Sequence, residues 1–231
     1  MSVVFDTLTH MSKLDRLNYW IYKEISTYIG NRILEAGCGN GNLTSHLVDK
    51  EVVVAVDNNP LMLDAFEKRY GSNEKVRTIK AGLDDLPKKD LFNLKLDTII
   101  CLNTLEHIKD DIEVLKNFNS ILSKGHLILL VPAFEKLYCP LDRAAGHYRR
   151  YQLKEISEKV ESCGFEVQKK MYFNLFGILG WLVNGKILKK ERISNKLLSI
   201  FDFFLPFLNF LEKLVGPPFG LSIILICRKA S

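Results

Sequence analysis

Seven residues, Glu51-Val52-Val53-Val54-Ala55-Val56-Asp57, constrain the fold more than any other part of the chain. The run is β-branched and almost wholly apolar, so it has no face to give to water. Such a strand belongs inside a parallel sheet covered by helices on both sides. Neighbouring segments agree. Arg32–Glu35 is a shorter apolar run stopped by a glycine cluster, Leu96–Leu102 and Leu127–Val131 are strong strands, and Val76–Lys80 is a weaker one. Between them, Leu43–Val48 reads as a helix, Asn59-Pro60 opens another with proline at its first position, and Asp110–Leu122 is a third. Ahead of all these, Leu14, Leu17, Ile21, Ile25 and Tyr28 recur at three- and four-residue steps, an amphipathic helix ending near Gly30. Strands alternating with helices imply right-handed βαβ units and a doubly wound α/β fold.

Past a loop rich in tyrosine, arginine and histidine, Leu153, Ile156, Val160 and Cys163 mark a helix, with Gly164 placed to terminate it. Phe165–Val167 and Leu221–Cys227 read as the last two strands. The stretch between them far exceeds the roughly 2–6 residues of a compact connection, so it is an insertion. One domain is expected over 1–231: a helical cap at 1–30, the binding core at 31–170, an apolar and basic helical insertion at 171–220, and the last strand at 221–229.

Charge separates the core from the insertion. The formal charge is +5, yet residues 1–170 hold 24 Lys and Arg against 24 Asp and Glu, so the whole excess lies in 171–231. That segment is also the most apolar, with no charge from Met171 to Gly185. Transmembrane spans need about 17–25 apolar residues. The nearest candidate, 171–188, carries Asn174, Asn184 and Lys186, and the next apolar run is broken by Asp202, Pro206 and Glu212, so no span is expected. The first ten residues lack the basic and apolar regions of a secretory signal, which points to the cytoplasm. Five scattered cysteines without a CxxC argue against a disulfide framework and a zinc site, and no metal is expected.

Glu35-Ala36-Gly37-Cys38-Gly39-Asn40-Gly41 ends the first strand, the edge at which open parallel sheets bind ligands. Glycines let a ligand approach the backbone, and the N–H groups of a following helix would face it. The spacing is G-x-G-x-G, with Asn42 where the dinucleotide fingerprint places its third glycine, which disfavours NAD. Asp57 closes the second strand, where a carboxylate can accept both hydroxyl protons of a ribose. By itself Asp57 could equally be a helix N-cap.

Residues 33–41 and Val56-Asp57 resemble the class I S-adenosylmethionine-dependent methyltransferases. Leu83-Asp84-Asp85-Leu86-Pro87 and the stretch from Asp97 through Asn103-Thr104-Leu105-Glu106-His107-Ile108 extend that resemblance across roughly residues 30–170. It implies a seven-stranded Rossmann-like sheet ordered 3-2-1-4-5-7-6 with strand 7 antiparallel, and S-adenosylmethionine lying over the strand ends. Carried onto this chain, Glu35, Gly37, Cys38, Gly39, Asn40 and Gly41 form the cofactor loop, and Asp57 holds the ribose diol. Asn58 flanks the adenine, Leu83 and Asp84 meet its edge, and Asn103 meets the methionine end. Relatives often place an acidic residue where Gly82 stands, which shifts the adenine contact to Asp84.

Methyl transfer from a sulfonium needs alignment, and a base where the nucleophile holds a proton. His107 and His147 are the candidates, because imidazole titrates near neutrality. Tyr148, Arg149, Arg150 and Tyr151, in the loop after the fifth strand, are the candidate acceptor-binding residues, arginine being suited to phosphate or carboxylate. This loop resembles bacterial methyltransferases of cell-surface glycan and lipid-linked pathways and, more distantly, the ubiquinone-pathway O-methyltransferases. As a helix, 197–215 would place Ser199, Asp202, Pro206, Asn209 and Lys213 in a narrow polar stripe on an apolar cylinder, kinked or split at Pro206. With Lys186, Lys189, Lys190, Arg192 and Lys196 beside it, the segment 171–215 suits the inner face of an anionic membrane, or else a lid or dimer face. The expected activity is methyl transfer to oxygen of a glycan, lipid-linked or small-molecule acceptor by a monomer or homodimer that binds no nucleic acid. Rivals are a phenolic quinone-precursor methyltransferase and a membrane-peripheral cofactor-binding protein without turnover.

Overall fold

The computed structural model describes residues 14–230. The first ten residues, from which the absence of a secretory signal was read, lie outside that range. Seven strands form one sheet in the order β3-β2-β1-β4-β5-β7-β6. They are β1 Arg32–Ala36, β2 Val52–Asp57, β3 Val76–Lys80, β4 Thr98–Leu102, β5 His126–Pro132, β6 Phe165–Phe173 and β7 Ser222–Lys229. β1 to β5 pair in parallel, and β7 runs antiparallel to both β5 and β6.

The interior strands are buried on both faces because successive side chains enter different cores. Leu127, Leu129 and Val131 of β5 pack with α4 (Asp111–Ile121) and α6 (Leu153–Ser162), whereas Ile128 and Leu130 pack with α1 (Asp15–Ile25) on the opposite face. Each such fully buried side chain contributes about 1.5–3 kcal/mol. The edge strand β3 buries almost nothing fully, which is why its sequence signal is weak. α2 (Pro60–Tyr70) takes its cap from the Asn59 side chain, as expected from Asn59-Pro60, and α3 (Lys88–Asn93) is a short helix leading into β4.

Three expectations change. Leu43–Val48 makes only a 3-10 turn, Thr44–His46. Its residues are mostly poor helix formers, and local bonds compete with the helix: Ser45 donates to the Asn42 carbonyl and Thr44 to the buried Glu35. No α-helix therefore follows the glycine loop between β1 and β2. β6 continues past Val167 to Phe173 through a bulge, so the insertion starts at Asn174 and not at 171. The long helix α8 (Asn195–Val215) is continuous through Pro206, so the proline does not split it. In the turn that proline disrupts, the Arg16 side chain donates to the Phe203 carbonyl at 2.7 Å.

The insertion begins with α7 (Gly177–Trp181), which runs into a π-helical turn, Leu182–Ile187. It is anchored by Glu212, 4% exposed, whose two carboxylate oxygens accept from the Asn174 and Leu175 amides at 2.8 Å each. α8 lies against α1, where Asp202 accepts from the Leu17 amide. Leu198, Phe201, Leu205, Leu208 and Glu212 turn towards the protein. Of the anticipated polar stripe, Asp202 and Asn209 share that inner side while Ser199, Pro206 and Lys213 are exposed. The outer face carries Phe203, Phe204, Phe207, Phe210 and Leu214, between 52% and 69% exposed.

Candidate active site

The carboxyl ends of β1, β2 and β4 meet at the glycine loop. Gly37 has φ +78°, and a β-carbon there would collide with the Thr104 side chain, so this position both needs a left-handed backbone and admits only glycine. Gly39, at φ +54°, has nothing within 4 Å of where a β-carbon would point, leaving the backbone open to a ligand on that side. Asp57 braces the loop: Oδ2 accepts from the Gly39 amide at 2.9 Å and Oδ1 from the Asn59 amide at 2.8 Å. Arg69 donates to the Asn40 carbonyl and the Tyr70 hydroxyl to that of Gly41.

Beneath the loop, burial pushes the Glu35 carboxyl up to about 7, against the hydrogen bond it accepts from Thr44 at 2.6 Å. Burial also raises the Cys38 thiol, with the Glu35 and Asp57 charges adding to it, so Cys38 is an inert packing residue. Asn58 and Asp84 are exposed. Asn117 donates to the Leu83 and Asp84 carbonyls at 3.3 Å and fixes that turn. Asn103 sits in a left-handed conformation, φ +48°, at the end of β4, its amide donating to Leu130. An open glycine backbone beside a braced carboxylate and an exposed asparagine is a cradle that fits an adenosine with a methionine tail.

Three residues beyond Asn103 a second cluster begins. The 3-10 turn Leu105–His107 brings Glu106 and His107 against His147, which follows α5 (Pro140–Ala145). The imidazoles of His107 and His147 meet edge to face, centroids 4.7 Å apart. His147 Nδ1 lies 2.9 Å from Asp142 Oδ1, and His147 Nε2 lies 3.8 Å from Glu106 Oε1. Burial drives the His107 imidazole down to about 4 and lifts the Glu106 carboxyl to about 7. For Asp142 burial works upward, yet the His147 hydrogen bond and the Arg150 charge hold its carboxyl below the usual range.

The four acceptor candidates divide unevenly. Arg150 is 3% exposed: Nε donates to Asp142 at 2.8 Å, Nη1 donates to the Ala133 carbonyl, and the guanidinium lies 4.5 Å from the centre of the Trp181 ring. Arg149 pairs with Asp111 and the Lys109 carbonyl, and Tyr151 is wholly buried with its hydroxyl on the same Asp111. These three build the wall of the site, and only Tyr148 stands exposed. Sequence reasoning assigned no role to Glu106, Asp142 or Thr104. Glu106 lay next to His107 within a recognised stretch, but nothing in the sequence joins Asp142 to His147 and Arg150 before α5 is folded.

A glycine loop and a carboxylate at adjacent strand ends of this sheet define a protein of the nucleotide-cofactor α/β class. The family follows from residues 12–170, which match the methyltransferase domain, and the chain belongs to that family. S-adenosylmethionine is the cofactor that this membership supports. Over 105 residues the chain is 30% identical to the tRNA U34 carboxymethyltransferase of Campylobacter fetus subsp. fetus. That match covers 44% of this chain and 36% of the relative, so the chain spans about a third of its length. The fold matches an S-adenosylmethionine-dependent methyltransferase from Clostridium acetobutylicum at a TM-score of 0.60 and 15% identity, covering 94% of this chain and 92% of the other. It also matches the magnesium protoporphyrin IX methyltransferase of Synechocystis PCC 6803 with bound S-adenosylmethionine, at a TM-score of 0.55 and 16% identity over 96% and 81% of the two chains. A tRNA-modifying relative removes the support for excluding a nucleic-acid partner. No helix among the described residues is long and apolar enough to cross a membrane.

Proposed function

We propose that this chain transfers the methyl group of S-adenosylmethionine to an oxygen of a lipid-linked glycan at an anionic membrane surface. The observation that carries this reading is the outward face of α8. Phe203, Phe207 and Phe210 are each 59–65% exposed on one helix, and Lys186, Lys189, Lys190 and Lys196 crowd the segment before and at its start. Aromatic residues beside lysines on a helix not apolar enough to span suit insertion at the headgroup boundary.

In this reading Gly37, Gly39 and Gly41 back the cofactor, Asp57 holds the ribose diol, Asn58, Leu83 and Asp84 frame the adenine, and Asn103 holds the methionine end. His147 Nε2, its ring oriented by Asp142, takes the proton as the acceptor oxygen bonds to the methyl carbon and the carbon–sulfur bond breaks, leaving S-adenosylhomocysteine. Tyr148, the exposed member of the acceptor loop, contacts the incoming sugar.

The test is methyl transfer from labelled S-adenosylmethionine to lipid-linked sugars in anionic vesicles, beside a phenolic quinone precursor and tRNA. Label in the lipid fraction supports the reading, and label in the phenol alone overturns it. The tRNA arm is favoured by the Campylobacter relative, and label there alone moves the acceptor to nucleic acid. Asp57→Ala should weaken S-adenosylmethionine binding in calorimetry by about 1–3 kcal/mol through two lost hydrogen bonds; unchanged affinity would remove Asp57 from the ribose.

A further inference from the structure

Methyl transfer by a histidine base does not account for Glu106. This residue is 1% exposed, and neither carboxylate oxygen has a hydrogen-bond partner. A buried acceptor pair left unmatched demands an explanation, an ion being one of the few available. The side chain is aimed at two imidazoles, and one donor atom from each of Glu106, His107 and His147 lies within 4.8 Å of the other two.

One ring is already oriented: His147 Nδ1 is held by Asp142 at 2.9 Å, which leaves Nε2 towards Glu106. Carboxylate or carbonyl partners behind an imidazole are the usual support of a metal-ligating histidine. Asp142 itself is not a free ligand, since it also accepts from the Cys139 amide and from Arg150.

We propose that Glu106, His107 and His147 bind a divalent first-row transition ion, zinc, cobalt or manganese in class, with its remaining positions open to the acceptor oxygen. Two imidazoles and one carboxylate form a donor set suited to these ions, and three protein ligands with an open position mark a catalytic site. Ligand atoms bonded at about 2.1 Å sit roughly 3.4 Å apart around a tetrahedral ion. The cluster must therefore contract by an ångström or so, which Glu106, tethered by no hydrogen bond, is free to do. The site rests on the proposed reading only for where the acceptor lies. With an ion bound, Glu106, His107 and His147 would hold it, and it would supply a Lewis acid beside the acceptor hydroxyl, whose proton would then leave to bulk water in place of the base role given to His147 Nε2 above.

The experiment is calorimetric titration of chelator-stripped full-length protein with Zn²⁺, Mn²⁺ and Mg²⁺, with visible absorption on adding Co²⁺. S-adenosylmethionine binding is measured in the same samples. One high-affinity site for Zn²⁺ and Co²⁺, weakened at least tenfold in both Glu106→Gln and His147→Ala but not in His46→Ala, is expected. Circular dichroism confirms that each variant is folded, and Glu106→Gln, which replaces a buried carboxyl by an isosteric amide, keeps the test open if His147→Ala fails to fold. Absence of binding, or equal affinity in the Glu106 and His147 variants, overturns the ion site. S-adenosylmethionine binding in that case leaves the methyltransferase reading standing. Failure to bind the cofactor, with the ion still bound, would overturn the methyltransferase reading and leave the ion site in place.

Discussion

The two ends of the site are built from different materials. At the glycine-loop end the main chain dominates: three glycines of one loop, the amides that Asp57 holds, and the carbonyls of Leu83 and Asp84 steadied by Asn117. At the histidine end side chains dominate, with Glu106, His107, Asp142, His147 and Arg150 converging from three segments and Trp181 arriving from the insertion. A backbone-built site is written in short contiguous stretches and tolerates many packing solutions behind it. A site of buried charges depends on every partner being present at once.

The largest test of that contrast is Asp142→Ala. It strands the Arg150 guanidinium, 1% exposed at its side chain, without its carboxylate and should destabilise the fold by about 3–5 kcal/mol in urea unfolding. A loss below 1 kcal/mol would mean that the histidine end is not held by its charges.

Next comes Glu35, the one buried carboxyl of the backbone-built end. Its folded-state value of about 7 lies above the ordinary 4.5, so the folded protein holds the proton more tightly than the unfolded chain does. No penalty exists below pH 4.5. As pH rises from there to about 7 the unfolded state gains by ionising, and stability should fall by about 3 kcal/mol before levelling. Glu35→Gln should flatten that part of the stability–pH curve, and an unchanged slope would assign it to other groups.

The smallest effect on stability is expected on the outer face of α8. Phe203→Asp with Phe207→Asp should alter unfolding by no more than about 0.5 kcal/mol per site, because both side chains are more than half exposed and Arg16 over the Phe203 ring would face a carboxylate instead. The same pair should abolish sedimentation with anionic liposomes. Retained liposome binding would show that the lysines suffice or that another face is used.

The sheet was legible because its evidence is local. Continuous burial in Val52–Asp57 and His126–Pro132 appears as unbroken apolar runs, and the loop from Gly37 to Gly41 is a contiguous signature. The segment at 43–48 misled because Leu43 and Leu47 have helical spacing, while the Thr44 bond to Glu35 that fixes the turn comes from another element. Arg149, Arg150 and Tyr151 read as a ligand-gripping motif, and only the folded loop reveals Asp111, Asp142 and Glu135 waiting to neutralise or cap them. α8 was recognised as amphipathic, but amphipathicity does not say which side faces inward. Here Asp202 and Glu212 capture backbone amides of the protein and turn the phenylalanines out.

The stack of Arg150 on Trp181 gives the insertion a second allegiance. Segments outside the conserved scaffold of a fold are ordinarily the easiest to exchange, since they carry specificity without carrying the core. This one covers a buried cation, and Trp181 also donates to the Leu137 carbonyl of the loop after β5 at 3.3 Å. Grafting a different insertion onto this sheet would therefore require a new neighbour for Arg150, so insertion and site wall must change as a unit.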